Sequence, residues 1–402
     1  MDTHHGLGGM GGSLSQVFNE VEGELASAWN LRSRMWRLNH DAGLSSTHPL
    51  EAMTMRFYTG QHQFYCGIDL HTRTLSLCIV NSEGVIVCEA TMPPEPDQLL
   101  SALAPYRDGL VVGCECLFAW YWLADLCNEQ QIPFVLGHAL YLKAIHGGKT
   151  KTDQIDAQKL ARLLKGGTFT EAYVYPKAMR ATRDLLRRRS YLVRKRAELL
   201  AHLQMTFLQY NLTPPAQKLC YAANRAELNL NVFPDVSTRS MLQADLAIVS
   251  ALDQQIKRLE SELVRTAKIH DPQTFARLRT VPGIGPVLAL TVLYEVHHID
   301  RFAEEGQFLS YARLVGGVRE SAGKFKGTGG RKIGNAHLKW AFSEATCLLI
   351  RNLPKAKSWL ARKERKIGKK RALGALAARL ARTIYHLWRK QEAFEEKRFL
   401  AS

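Results

Sequence analysis

Phe64-Tyr65-Cys66-Gly67-Ile68-Asp69-Leu70 is an almost wholly apolar run carrying one acid near its carboxyl end. It is bounded by polar residues and is too short for a helix, so it predicts a strand. Outward from it, Leu75–Val80 and Val85–Thr91 are two further strand-like runs, the second reached through Ser82-Glu83-Gly84, a turn sequence. Three consecutive antiparallel strands follow. Beyond them the pattern alternates: helix over Asp97–Tyr106, strand over Leu110–Glu115, helix over Trp120–Gln130, strand over Ile132–Gly137 and helix over Asp153–Leu164.

The order β-β-β-α-β-α-β-α is that of the ribonuclease-H-like fold, an α/β class with strands one and four side by side. Asp69 and Glu115 then face one another, and the last helix carries Asp153 and Asp156 across the end of the sheet. Those two are three apart and share one helix face. A single aspartate at a helix start is adequately explained as a cap. Capping does not explain acids placed among apolar strand residues, which are costly to bury without a cation or a hydrogen-bond partner. Four carboxylates so placed predict a site for Mg2+, with room for two ions, of the kind that serves phosphoryl transfer.

At 402 residues with 46% hydrophobic content, the chain should form two or three globular domains. Lys and Arg number 54 against 37 Asp and Glu, a net charge of +17. The excess is concentrated: residues 351–402 hold 16 basic and 4 acidic side chains, and residues 177–196 hold nine basic and one acidic. Such clusters favour phosphate backbones, because binding releases counterions. Expected contacts are Arg187, Arg188, Arg189, Arg194, Lys195 and Arg196 in the first cluster, and Lys369, Lys370 and Arg371 in the second. Six of the eight cysteines fall in 66–127 without a CxxC pair, so they are expected as reduced core residues. The sequence has neither a long apolar span nor a signal-peptide layout, which leads to the expectation of a cytoplasmic protein.

Residues 1–55, with a loosely amphipathic segment around Val17–Leu38, do not belong to the pattern that starts at 64; Met53 or Met55 offers a later natural start. Arg180–Tyr210 predicts a long basic helix stopped by Pro214-Pro215. Leu242, Val249, Ile256 and Leu263 recur every seven residues, with Leu252 and Leu259 between them, as in a coiled-coil arm. Val281-Pro282-Gly283-Ile284-Gly285 lies between two helical patterns and suits a helix-hairpin-helix turn, where Gly283 and Gly285 would let backbone amides meet a phosphate. A helix is expected over Phe308–Val315, then a Gly/Lys loop over Ser321–Asn335, a helix over Ala336–Arg351 and a basic helix over Lys369–Phe394. In the loop, Ser321 is followed by Lys324, Lys326, Arg331 and Lys332 among glycines, a phosphate-binding composition. Nothing nearby identifies a base that would make Ser321 a nucleophile.

Taken in order, Gly67-Ile68-Asp69-Leu70-His71, the Glu115 strand end, Lys151-Thr152-Asp153-Gln154-Ile155-Asp156-Ala157, Val281-Pro282-Gly283-Ile284-Gly285, and Ser321-Ala322-Gly323-Lys324 with Gly334-Asn335-Ala336-His337-Leu338 resemble the DEDD transposases of the IS-one-ten insertion-sequence family. The resemblance covers about residues 62–390. It implies a RuvC-like domain with its metal-binding acids at Asp69, Glu115, Asp153 and Asp156, a coiled-coil arm, and a transposase domain in which Ser321 matches the family nucleophile. It further implies a phosphoserine-DNA intermediate, a catalytic site shared between subunits of a homo-oligomer (dimer or tetramer), double-stranded DNA at element ends and target, and a structured guide RNA made from the element.

The corresponding division is 1–60 as an extension, 61–175 as the RuvC-like domain, 176–270 as the helical arm and 271–402 as the serine-bearing domain. Two other functions suit parts of the chain. A RuvC-like endonuclease or junction resolvase would use water and the same four acids without Ser321. A non-catalytic nucleic-acid-binding regulator would use the Gly-Ile-Gly turn and the basic helices, and would leave the acids unexplained.

Overall fold

The computed structural model describes residues 56–145, 152–330 and 333–400. Residues 1–55 of the amino-terminal extension, Lys151, Arg331 and Lys332 lie outside the described residues. The chain divides into two compact units, one formed by Glu51–Ala181 and the other built on Thr182–Ser402.

The first unit runs β1 (Phe57–Tyr58), β2 (Phe64–Leu70), β3 (Leu75–Asn81), β4 (Ile86–Met92), α1 (Pro96–Leu103), β5 (Leu110–Glu115), α2 (Trp120–Glu129), β6 (Phe134–Gly137), α3 (Ala139–Ile145), α4 (Asp153–Lys165) and β7 (Phe169–Thr170). Five strands make one mixed sheet in the order β4-β3-β2-β5-β6. β2, β3 and β4 are antiparallel, while β5 and β6 continue from β2 in parallel. This is the mixed α/β arrangement of a RuvC-like domain.

Strand periodicity sorts the core into two layers. Ile68, Leu77 and Val112 pack with Leu99 and Leu103 of α1 and Leu123 of α2. On the opposite face Tyr65, Val111 and Val135 pack with Leu160 and Leu164 of α4. Asp69 and Glu115 follow the second set by parity, so both acids belong to the face that α4 covers. Gly113 helps α4 lie close: a Cβ there would sit 2.6 Å from a Leu164 methyl.

The second unit takes up α5 (Lys177–Gln209), whose first turn lies before Thr182, then α6 (Ala222–Ala226), α7 (Val236–His270), α8 (Pro272–Arg279), α9 (Pro286–Val296), α10 (Glu305–Tyr311), β8 (Gly317–Ser321), β9 (Lys324–Gly329), α11 (Ala336–Asn352), α12 (Pro354–Ile367), α13 (Lys369–Lys390) and α14 (Glu396–Leu400). α5 and α7 run antiparallel, as their ion pairs show: Arg189 with Glu260 at 2.8 Å, Arg196 with Asp253 at 2.5 Å and His202 with Asp245 at 2.6 Å. The heptad residues Leu242, Val249, Ile256 and Leu263 are buried. The unpatterned stretch after Pro215 is a packed link, with Leu219 and Phe233 set against Phe207 and Leu242.

Three expected elements differ. The helix expected to reach Val315 ends at Tyr311, and Arg313 has a φ of +56°, which a helix cannot contain. The expected loop from Ser321 is a β-hairpin in its first half; its Gly- and Lys-rich strands have no apolar alternation to announce them. The last basic helix stops at Lys390, where Gln391 turns left-handed. Pro354–Ile367, for which no element was expected, forms α12.

Candidate functional site

β2 delivers Asp69 to the carboxyl end of the sheet, and the strand's apolar neighbours leave its side chain only 12% exposed. β5 pairs with β2 in parallel, Cys114 opposite Ile68, so Glu115 takes the next position beside Asp69. Thr152 caps α4 by accepting from the Ile155 amide at 3.2 Å, which sets Asp153 and Asp156 in the first turn. Gln154 ties that turn to the sheet through a 3.0 Å bond from its Nε2 to the Leu77 carbonyl.

These placements converge. Asp69, His71 and Asp153 each offer a ligand atom, all within 4.8 Å of one another. His71 Nε2 lies 3.2 Å from an Asp69 oxygen and 3.6 Å from an Asp153 oxygen. Asp156 stands on the same helix turn and holds Lys159 at 2.9 Å. Burial pushes the Asp69 carboxyl above its ordinary value; His71 pulls it back, and the charges of Asp153 and Asp156 push it up again. Of the four acids expected at the site, then, Asp69 and Asp153 sit within ligand distance of a common point, Asp156 contributes its charge nearby, and Glu115 flanks Asp69 in the sheet. His71 was not among the expected ligands. Its signal was present: two residues beyond Asp69, it falls on the same side of an extended chain.

Oxygen donors on a partly buried carboxylate held near a second acid suit a hard divalent cation. An imidazole beside them broadens the set toward transition metals. The site can therefore hold a metal; its identity as Mg2+ is a matter of proposal.

Ser321 belongs to the second unit. It ends β8 opposite Lys324, across a two-residue turn in which Ala322 and Gly323 have φ of +53° and +71°. Two positive φ values make this the mirror-image turn that matches strand twist. Ser321 and Lys324 are both exposed, and Phe325 beside them is 63% exposed. Lys326 is exposed on the same strand.

The basic residues of α5 also have partners within the second unit. Arg187 holds Glu295 with two bonds of 2.7 and 2.9 Å, Arg189 holds Glu260, Arg196 holds Asp253, and Lys195 holds Glu198 at 2.7 Å. These pairs tie the helix to α7 and α9 and to its own next turn. Arg188 lies over the Tyr191 ring, and Arg188 and Arg194 form no ion pair among the described residues. The second cluster behaves differently: Lys369, Lys370 and Arg371 are exposed at the start of α13 and form no ion pair among the described residues. Gly283 is tightly packed. Its φ is +89°, and a Cβ would sit 2.6 Å from the Leu349 amide, so it serves close packing on α11. Gly285 caps α9 and faces open space.

No helix among the described residues is long and apolar enough to cross a membrane. Comparison with known proteins agrees with the geometry. A transposase family profile of the DEDD, IS110 type matches residues 66–212, and the profile described as "Transposase IS116/IS110/IS902 family" matches residues 275–360, together more than half of the chain. The transposase for insertion sequence element IS1111A of Coxiella burnetii is 24% identical over 339 residues, 82% of this chain and 90% of that protein. A putative transposase, y4qE, of Sinorhizobium fredii is 25% identical over 193 residues, covering 48% of this chain and 46% of its own length. An uncharacterized 44.8 kDa protein of insertion element IS116 from Streptomyces clavuligerus is 27% identical over 173 residues, 40% of this chain and 41% of its own. The chain belongs to the IS110-type DEDD transposases, the IS116/IS110/IS902 family, and is a DNA transposase.

Proposed function

We propose that this transposase excises and inserts an insertion sequence by cutting and rejoining DNA strands through a phosphoserine intermediate on Ser321, with Mg2+ held by Asp69, Glu115, Asp153 and Asp156. The observation that carries the metal half is the convergence of Asp69, His71 and Asp153 within 4.8 Å at the carboxyl end of β2. A bound divalent ion supplies charge neutralisation at the phosphate and helps deprotonate the attacking hydroxyl. The protein's own residues do the rest. Asp69 and Glu115 fix the site on the sheet and Asp153 closes it from α4. The exposed tip of the β8–β9 hairpin presents Ser321 and Lys324 to a phosphodiester. In the transfer the Ser321 Oγ–phosphorus bond forms as one DNA phosphorus–oxygen bond breaks; the serine loses its proton and the departing oxygen gains one. Rejoining is the reverse step on a new end.

The wider assembly is part of the same proposal. Lys369, Lys370 and Arg371, with Arg188 and Arg194, contact nucleic-acid backbone, Gly285 opens a helix-hairpin-helix-like turn to phosphate, and a structured RNA from the element chooses the sites by base pairing. The α5–α7 pair serves as a coiled-coil arm, and the chain works in the bacterial or archaeal cytoplasm at the nucleoid as a dimer or tetramer with a composite site. The four-part division at residues 60, 175 and 270 describes these working parts.

The test is a denaturing gel for a covalent protein-DNA adduct, using the full chain, Mg2+, element-end DNA and the adjacent noncoding RNA. An adduct that vanishes in both Ser321→Ala and Asp69→Ala supports the proposal. Cleavage without adduct, kept in Ser321→Ala and lost in Asp69→Ala, assigns the water-using nuclease instead.

A further inference from the structure

Glu295, on α9, is wholly buried and plays no part in the chemistry above. Its carboxylate accepts from Arg187 at 2.7 and 2.9 Å, from Arg183 at 3.1 Å, and from the Asn335 side-chain amide at 2.8 Å. The charge of His337 acts on the same group. A buried acid fully engaged by two guanidiniums and an amide is a fixed point, because every donor must move together for any one to leave.

Asn335 connects that point to the serine hairpin. Its Oδ1 accepts from the His337 and Leu338 amides and so caps α11, while its Nδ2 reaches Glu295 and, at 3.3 Å, the Tyr311 hydroxyl. Its own backbone amide donates to the Tyr311 carbonyl at 2.6 Å. The two residues before it are held as well: Arg313 Nε donates to the Ile333 and Gly334 carbonyls at 3.1 and 2.8 Å. Gly334, at φ +92°, lies where a Cβ would be 2.6 Å from the Tyr311 carbonyl oxygen. Residues 333–335, which follow the hairpin, are thus fastened to the end of α10, from which the outgoing leg departs through Arg313. The base is fixed, while the tip carrying Ser321 is exposed.

We propose that Glu295 and Asn335 are positioning residues for Ser321, a latch that holds both legs of the β8–β9 hairpin on one buried platform and so fixes the direction in which the serine is presented. The proposal rests on Ser321 being the attacking residue. Neither Glu295 nor Asn335 touches DNA or metal; they act through the Tyr311–Asn335 junction.

Asn335→Ser separates latch from cap. Serine caps a helix about as well as asparagine, but it is too short to reach Glu295, which keeps both arginines and is not left orphaned. In the full chain, hydrogen exchange across residues 317–329 is expected to quicken about tenfold, with exchange in α7 unchanged. Single-turnover adduct formation at saturating DNA is expected to fall roughly 10- to 100-fold with DNA affinity unaltered, since small misplacement of a reacting group costs rate rather than binding. Unchanged hairpin exchange in folded Asn335→Ser overturns the latch, and so does faster exchange with unchanged chemistry. Tyr311→Phe, which removes only one hydroxyl from the junction, carries the same two readouts with a smaller expected effect should Asn335→Ser fail to fold. Ser321→Ala with strand joining intact sinks the serine reading by itself, and hairpin exchange still decides whether the latch exists.

Discussion

Gly67 and Ala161 are in backbone contact across the sheet-helix interface: a Cβ built on Gly67 would lie 2.3 Å from the Ala161 amide nitrogen and 2.4 Å from the Ala157 carbonyl oxygen. Helix α4 therefore presses onto β2 closer than any side chain permits, and this closeness brings Asp153 to Asp69. Gly67→Ala must displace backbone, and is expected to cost about 1–3 kcal/mol or more as overpacking. Gly113→Ala meets only the Leu164 side chain and should cost less. Urea denaturation of the two variants checks the order, and divalent-ion binding should weaken in Gly67→Ala even where the fold survives.

The metal ligands are ranked by the same geometry. Ions that bind only the folded chain stabilise it, by about 2.7 kcal/mol at 100 times Kd. Thermal melts with and without Mg2+ or Mn2+ should show a shift that Asp69→Ala abolishes and Asp153→Ala largely removes. Asp156→Ala should remove less, because Asp156 is turned to Lys159. Equal losses in Asp153→Ala and Asp156→Ala contradict this ranking.

Glu295 predicts an acid-sensitive second unit. Burial alone raises its carboxyl, but the Arg187 hydrogen bond and the charges of Arg183, Arg187 and His337 outweigh burial and leave it at about 2, below its ordinary 4.5. A depressed acid contributes stability that is complete above its unfolded value and is lost as pH falls toward the folded one. The contribution should be on the order of 3 kcal/mol, fading between about pH 4.5 and 2. Denaturation against pH, comparing the wild type with Glu295→Gln, reads it: the variant should lose most of that slope and be weaker at neutral pH.

Two sets of basic residues should fail in different ways. Alanine at Lys369, Lys370 or Arg371 should leave folding intact and lower the salt dependence of nucleic-acid binding by about one unit of slope per lost phosphate contact. Alanine at Arg189 or Arg196 should instead cost about 1–2 kcal/mol of stability, by stripping partners from Glu260 or Asp253. Salt titrations of binding, paired with denaturation, separate the two.

The hairpin turn carries strain beside the serine. Ala322 has φ +53°, a conformation in which asparagine is at ease and alanine is not. Ala322→Asn should stabilise the hairpin by about 0.5–1 kcal/mol, read as slower exchange of the Glu320 and Phe325 amides.

Much of the first unit was legible because its strands are apolar runs interrupted by single acids; β2 and β5 begin and end at the expected residues. Burial of Leu242, Val249, Ile256 and Leu263 on α7 follows their seven-residue repeat. What the sequence concealed depends on distance along the chain. Arg187, Arg189 and Arg196 look like free surface charge because their acids stand 108, 71 and 57 residues away. The hairpin was hidden by its glycines and lysines.

The antiparallel pairing of α5 and α7 has one further consequence. Arg189 and Arg196 are seven residues apart, as are their partners Glu260 and Asp253. Their pairings share one register, and the buried repeat on α7 has the same period. Length in this pair is therefore quantised. A segment added to one helix alone shears every pair beyond it, and an addition far from a whole number of turns rotates the apolar stripe away from its buried side. Only matched additions close to a whole number of turns on both helices, such as seven residues and about 10 Å of rod, return the chain to its own pattern, so such a protein can change its reach in steps but not by degrees.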